Sequence, residues 1–94
     1  MKAIINGVQY DTENAKVLED RENTCPQDDP AWYRESLCQT PEGSYFLFGE
    51  GGALSWYFRV DEYGTKEYGT NIIPLSALQA DAWRNHTFEL NRIF

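Results

Sequence analysis

Ninety-four residues with fifteen Asp and Glu against eight Lys and Arg carry a net charge of −7. That balance speaks against direct binding to nucleic acid or an anionic membrane, both of which need a basic patch, and points the chain toward basic surfaces. The length suits one small domain, 1–94, and an aromatic content of 15% is too high for a disordered chain and enough to fill a core.

Ala3-Ile4-Ile5-Asn6-Gly7-Val8-Gln9-Tyr10 reads as a hairpin, because Asn-Gly between β-formers is the strongest short signal for a type I′ turn. Asp11-Thr12 offers side-chain acceptors to the next amides and predicts a helical or Asx-turn. Lys16 to Glu19 reads as a short third strand. The stretch at about 19–31 holds Glu19, Asp20, Glu22, Asp28 and Asp29 with Pro26 and Pro30, and reads as an acidic loop. A loop of that length in a small domain marks function or mobility.

Tyr33 to Thr40 alternates Tyr33, Glu35, Leu37 and Gln39 with Arg34, Ser36, Cys38 and Thr40, as a half-exposed strand does. Pro41-Glu42-Gly43-Ser44 is a turn, and Tyr45 to Phe48 returns as a buried antiparallel strand. Gly49-Glu50-Gly51-Gly52 follows as a glycine-rich turn, permitting either positive φ or a close backbone approach and fixing one carboxylate, Glu50, among the glycines. Leu54, Trp56, Phe58 and Val60 share a face at period 2, which favours a strand. A short helix from Ala53 would group Leu54, Tyr57 and Phe58 instead.

Asp61 to Gly64 reads as a turn and Thr65 to Asn71 as a polar stretch, with Asp61, Glu62 and Glu67 forming a second acidic patch. Ile72 to Leu75 is a short apolar strand or lead-in. Ser76 and Gln79 form a capping box, and Leu75 with Ala80 a small hydrophobic staple. The helix from Ala77 to about Asn85 is expected to bury Leu78, Ala82 and Trp83 and, being short, to lie on the sheet. Thr87 to Phe94 reads as a last strand or a tail docked by Phe88 and Phe94. The predicted class is α+β: a small antiparallel sheet built from hairpins, with one C-terminal helix packed on it.

No catalytic constellation stands out. Ser55 lacks the Gly-x-Ser-x-Gly frame, and a single histidine, His86, gives a nucleophile little to pair with. Gly49-x-Gly51-Gly52 lacks the lysine of a phosphate loop and puts Glu50 where an anion would sit. Asp28-Asp29 lacks the spaced oxygen ligands of a calcium loop, so neither metal nor cofactor is expected. Cys25 and Cys38 are too few for a disulfide scaffold and are not spaced as zinc ligands, so free thiols are expected, with a disulfide between them only in an oxidising compartment. No apolar run reaches the roughly 20 residues of a membrane span. Met1 to Gly7 lacks a signal-peptide core, which makes a cytoplasmic location the expectation.

What remains is binding through carboxylates. Seven net charges match about 12 Å of duplex DNA, at about one charge per 1.7 Å of axis. An acidic domain of that size fits a Lys/Arg-lined channel. Many small proteins are also acidic for solubility alone.

Three blocks carry a resemblance: Ile5-Asn6-Gly7-x-x-Tyr10-Asp11-Thr12, Tyr45-Phe46-Leu47-x-Gly49-Glu50-Gly51-Gly52-x-x-Ser55-x-Tyr57, and Ile72-Ile73-Pro74-Leu75 with Ala82-Trp83. Together they resemble a mostly uncharacterised family of small bacterial proteins found on phages and other mobile elements. The family often has a basic or small residue after Ser55, where this chain has Trp56. The resemblance implies a mobile-element origin and an anti-CRISPR-like inhibitor acting in the host cytoplasm as a DNA mimic. Its partner would be a CRISPR-Cas effector with a basic nucleic-acid site, met by Glu19, Asp20, Glu22, Asp28, Asp29, Glu50, Asp61, Glu62 and Glu67. The alternative is a small-ligand or peptide-binding regulator built on the Gly49–Gly52 turn and nearby aromatics.

Overall fold

The computed structural model describes residues 1–85. His86 and the strand or docked tail expected at Thr87–Phe94 lie outside the described residues.

Four antiparallel strands form the central sheet in the order β3 (Lys16–Glu22), β4 (Tyr33–Gln39), β5 (Tyr45–Gly51), β8 (Gly69–Leu75). The hairpin β1 (Lys2–Ile5) and β2 (Val8–Asp11) forms its own ribbon, as does the short pair β6 (Arg59–Val60) and β7 (Lys66–Glu67). Asn6 and Gly7 both take positive φ, 51° and 79°, which is the twist a two-residue hairpin needs. Asp11 accepts the amide of Glu13 at 3.0 Å and ends β2 in the expected Asx-turn.

Side-chain alternation divides the sheet into two buried faces. On one face Leu37, Leu47 and Leu75 meet Ala80 and Trp83 of the helix α1 (Ala77–Arg84). On the other, Cys38, Phe46 and Ile72 meet Tyr10, Ala3 and Ile5 of the β1–β2 hairpin. The architecture is therefore hairpin, sheet and helix in three layers, the expected α+β arrangement with one helix on an antiparallel sheet. Pro74 is tolerated in β8 because that strand has a ladder partner on one side only among the described residues.

Four sequence expectations need correction. The acidic segment does not begin as a loop at Glu19, since β3 runs to Glu22 and only the residues from 23 to 32 are irregular. A register shift between Val17 and Glu19 lets the strand keep pairing with β4. Gly49-Glu50-Gly51 is not a turn but the end of β5, paired with β4 on one side and β8 on the other. None of these three residues, nor Gly52, has positive φ.

Residues 53–58 form neither strand nor helix. They turn back sharply, so Leu54 is exposed while Ser55 and Tyr57 are buried, the reverse of the expected face. In α1, finally, Leu78 is 80% exposed while Ala80 and Trp83 are buried. The staple of Leu75 and Ala80 fixes the helix's rotation, and Leu78, two residues from Ala80, is carried to the opposite side.

Candidate functional site

The glycines explain how the inner face is built. A Cβ on Gly49 would fall 2.0 Å from the Tyr57 ring, so the absent side chain is the hole that ring fills. Gly51 lies against the Ser55 side chain and the Trp32 carbonyl, and Gly52 against the Pro30 backbone. The Leu54 amide donates to Pro30 O at 2.9 Å, and the Ser55 hydroxyl donates to Gly52 O at 2.8 Å. These bonds fold the 53–57 turn over the sheet and leave Tyr57 1% exposed.

Under that turn lies Glu35, a buried carboxylate at the centre of the sheet. It accepts the Tyr57 hydroxyl at 2.5 Å and the Trp83 indole N–H at 2.7 Å, so each of its oxygens has a donor. The pair of bonds ties turn and helix to β4. Burial and the neighbouring Glu35 charge both raise the Tyr57 pKa well above its ordinary value. Arg21 lies over the Trp83 ring at 3.7 Å, pairs with Glu19 at 2.8 Å and donates to the Arg84 carbonyl, closing the outer side of the helix. Glu19 is thereby part of this packing. Sequence reasoning missed Glu35; the alternation of β4, which sets it between Tyr33 and Leu37, was the available signal.

Three of the nine acids singled out from the sequence meet on the opposite face. Glu22, Arg34, Glu50 and Thr70 are register partners in one row across β3, β4, β5 and β8, and Asp20, Ser36, Phe48 and Ile72 form the next row. Residues opposite one another point to the same side, so Asp20, Glu22 and Glu50 share a face with one cation, Arg34. The hairpin covers the other end of this face, leaving Asp20, Glu22 and Arg34 exposed and Glu50 half-buried.

Each of these carboxylates takes a hydrogen bond from a neighbour. Ser36 Oγ donates to Asp20, Trp32 Nε1 to Glu22 at 2.8 Å, and the Tyr68 hydroxyl to Glu50 at 2.6 Å. The Glu50 bond, more than burial, pushes the Tyr68 pKa up to about 12. A shallow cleft of about 240 Å³ between Arg34, Ser36, Phe48 and Glu50 opens on the same surface. Ser36, Trp32, Arg34 and Tyr68 were not singled out from the sequence: strand register brings Ser36 and Arg34 beside the acids, while Trp32 and Tyr68 reach Glu22 and Glu50 from residues just outside the strands.

The remaining acids are placed elsewhere. Asp29 accepts the Ala31 amide at 2.8 Å and shapes the 23–32 loop, where Asp28 is exposed. Asp61 accepts the amides of Tyr63 and Thr65 at 2.8 and 2.9 Å and builds its own turn, with Glu62 exposed beside it. Glu67 takes both Nε and Nη2 of Arg59, at 2.9 and 2.6 Å. Within the second acidic patch, Glu67 is therefore paired with Arg59.

Cys25 and Cys38 are free thiols, Cys38 buried beneath the hairpin with its pKa raised to about 11 by burial and then by Asp20. Among the described residues no three His, Cys, Asp or Glu side chains gather as a metal site, and no helix is long and apolar enough to cross a membrane. No protein-family model matches the chain, and neither a curated protein nor a solved structure does.

Proposed function

We propose that the chain is an acidic binding protein that occupies a basic, nucleic-acid-binding surface of a partner protein and excludes DNA from it. The observation that carries this reading is the cluster of Asp20, Glu22 and Glu50, set on one sheet face and each oriented by a donor from its neighbour. Glu22 and Glu50 stand two strand spacings apart, about 10 Å, and Asp20 lies about 7 Å along β3 from Glu22. Those separations fall in the range of about 6 to 12 Å that the DNA grooves set between phosphate rows.

A rigid sheet holds the three charges in place before contact, so little side-chain freedom is lost on binding. Arg34 lowers the local charge without cancelling it and adds a donor for a backbone carbonyl or an acidic residue on the partner's rim. The resemblance to mobile-element proteins makes a guide-loaded, DNA-binding CRISPR effector the partner to test first. The alternative of a small-ligand or peptide-binding regulator would rest on the nearby aromatics rather than on a Gly49–Gly52 turn, since those glycines lie in or beside β5 and are packed against Tyr57, Ser55, Trp32 and Pro30.

The test is displacement of labelled target DNA from such an effector, followed by fluorescence anisotropy at two salt concentrations. The chain is expected to compete, with its apparent affinity falling about tenfold or more from low to physiological salt. Asp20→Asn/Glu22→Gln/Glu50→Gln should lose about tenfold or more at low salt, while Asp61→Asn/Glu62→Gln should change it less than twofold or so, as neither residue belongs to the strand rows that carry Asp20, Glu22 and Glu50. Competition that survives the triple substitution, or does not respond to salt, would remove the acidic face as the binding surface.

A further inference from the structure

A second opening, on residues distinct from Asp20, Glu22 and Glu50, does not depend on that reading. A cleft of about 440 Å³ lies outside the 53–58 turn, lined by Tyr33, Leu54, Ser55, Trp56, Phe58 and Lys66 among others. Its volume falls in the range of pockets that hold small organic ligands, and its walls are mainly apolar with three aromatic rings. Ser55 is committed to the turn, donating to Gly52 O and accepting the Tyr57 amide at 3.1 Å.

Lys66 is the charged lining residue. Its Nζ stands 4.6 Å from the centroid of the Phe58 ring. The ion pairs of the described residues are Arg21–Glu19 and Arg59–Glu67, so this ammonium has no carboxylate partner among them although acids outnumber bases nearly two to one. An ammonium lining an aromatic cleft attracts an anion there, against the overall charge of the chain, and disfavours a second cation.

We propose that this cleft binds a flat aromatic carboxylate, its ring system among Tyr33, Trp56 and Phe58 and its carboxylate on Lys66. The rings supply stacking surface, and the single cation selects the charge of the ligand. A neutral aromatic of the same shape gains only the first of these contributions. An aromatic cation gains the first and meets Lys66.

The experiment is an NMR titration of the ¹⁵N-labelled full chain with 2-naphthoate, and in parallel with neutral 2-naphthamide and cationic 2-naphthylmethylammonium. Naphthoate is expected to give saturable amide shifts at residues 53–58 and 66, with an affinity about tenfold above that of the amide, the usual worth of one charge-assisted contact. Lys66→Gln should bring naphthoate down to the affinity of the amide, and Lys66→Arg should preserve the preference. Unperturbed amide spectra away from the cleft establish that both variants are folded. The proposal is overturned by the absence of saturable shifts at millimolar naphthoate, by shifts centred elsewhere, by equal or tighter binding of the amide or the ammonium, or by an unchanged preference in Lys66→Gln.

Discussion

At the scale of single residues, a missing side chain can matter as much as one that is present. Gly49 and Gly64 both read as turn glycines, yet their roles differ. Gly64 takes φ of 82° with open space around it, so an alanine there meets only backbone strain, about 1 kcal/mol. Gly49 has ordinary strand geometry, but a methyl group would fall inside the Tyr57 ring. Gly49→Ala must therefore expel Tyr57, which removes a donor from buried Glu35 and uncovers the sheet. The expected loss is about 3 kcal/mol or more, the upper end for overpacking combined with an orphaned buried polar group. Urea unfolding of the two variants side by side checks this; equal losses would mean that the Tyr57–Gly49 contact contributes little. The sequence marks Gly49 as special but does not show why. Positive φ is a local property, whereas the ring that fills this hole comes from eight residues along the chain through a turn with no strong motif of its own.

At the scale of elements, the legible parts were those whose signals are local. The Asn6-Gly7 hairpin, the Asp11 turn, the Pro41–Ser44 turn with Gly43 at φ of 96° and the Ser76–Gln79 capping box all appear as read. Each depends on backbone groups within a few residues. The capping box has both reciprocal bonds, Gln79 N to Ser76 Oγ at 3.1 Å and Ser76 N to Gln79 Oε1 at 2.8 Å. Ser76→Ala should cost about 1 kcal/mol, and Ser76→Asp or Ser76→Asn should recover most of it. Thermal denaturation of the three variants decides the matter; an unaffected Ser76→Ala would mean that packing of Ala80 and Trp83 alone sets the helix start. What was not legible is set by register. Asp20, Glu22 and Glu50 come from segments read as a loop and a turn, and become neighbours only because β3, β4 and β5 pair as they do. On the helix, Trp83 and the Leu75–Ala80 staple pack as read, and Leu78 alone lies on the side opposite to the one expected, because the sheet and the staple set the helix's rotation.

At the scale of the whole molecule, the distribution of buried protons makes the fold sensitive to base. Tyr57 and Cys38 both sit in the core, and burial raises both pKa values, that of Cys38 to about 11 from an ordinary 9.0 and that of Tyr57 further above its ordinary 10.0. Each group is neutral in the folded chain over a pH range in which the unfolded chain has already released its proton. A raised folded pKa means that the contribution to stability is complete below the unfolded value and is lost as pH rises toward the folded one. Loss should therefore begin near pH 9 with Cys38 and steepen above pH 10 as Tyr57 joins, each group adding about 1.4 kcal/mol per pH unit to the slope. The growing negative charge acts in the same direction, since −7 at neutrality becomes more negative as tyrosines and cysteines ionise. Tyr57→Phe isolates the tyrosine. It removes a donor from Glu35 and so lowers stability at every pH, but it also removes one proton from the linkage. Its stability should thus fall less steeply than that of the parent chain above pH 10, by about 1.4 kcal/mol per pH unit. Urea midpoints measured at several pH values between neutrality and pH 11, analysed with a common m-value, give both slopes. Parallel curves for the two proteins would mean that Tyr57 ionises as readily folded as unfolded, and that the Glu35–Tyr57–Trp83 cluster does not hold its proton.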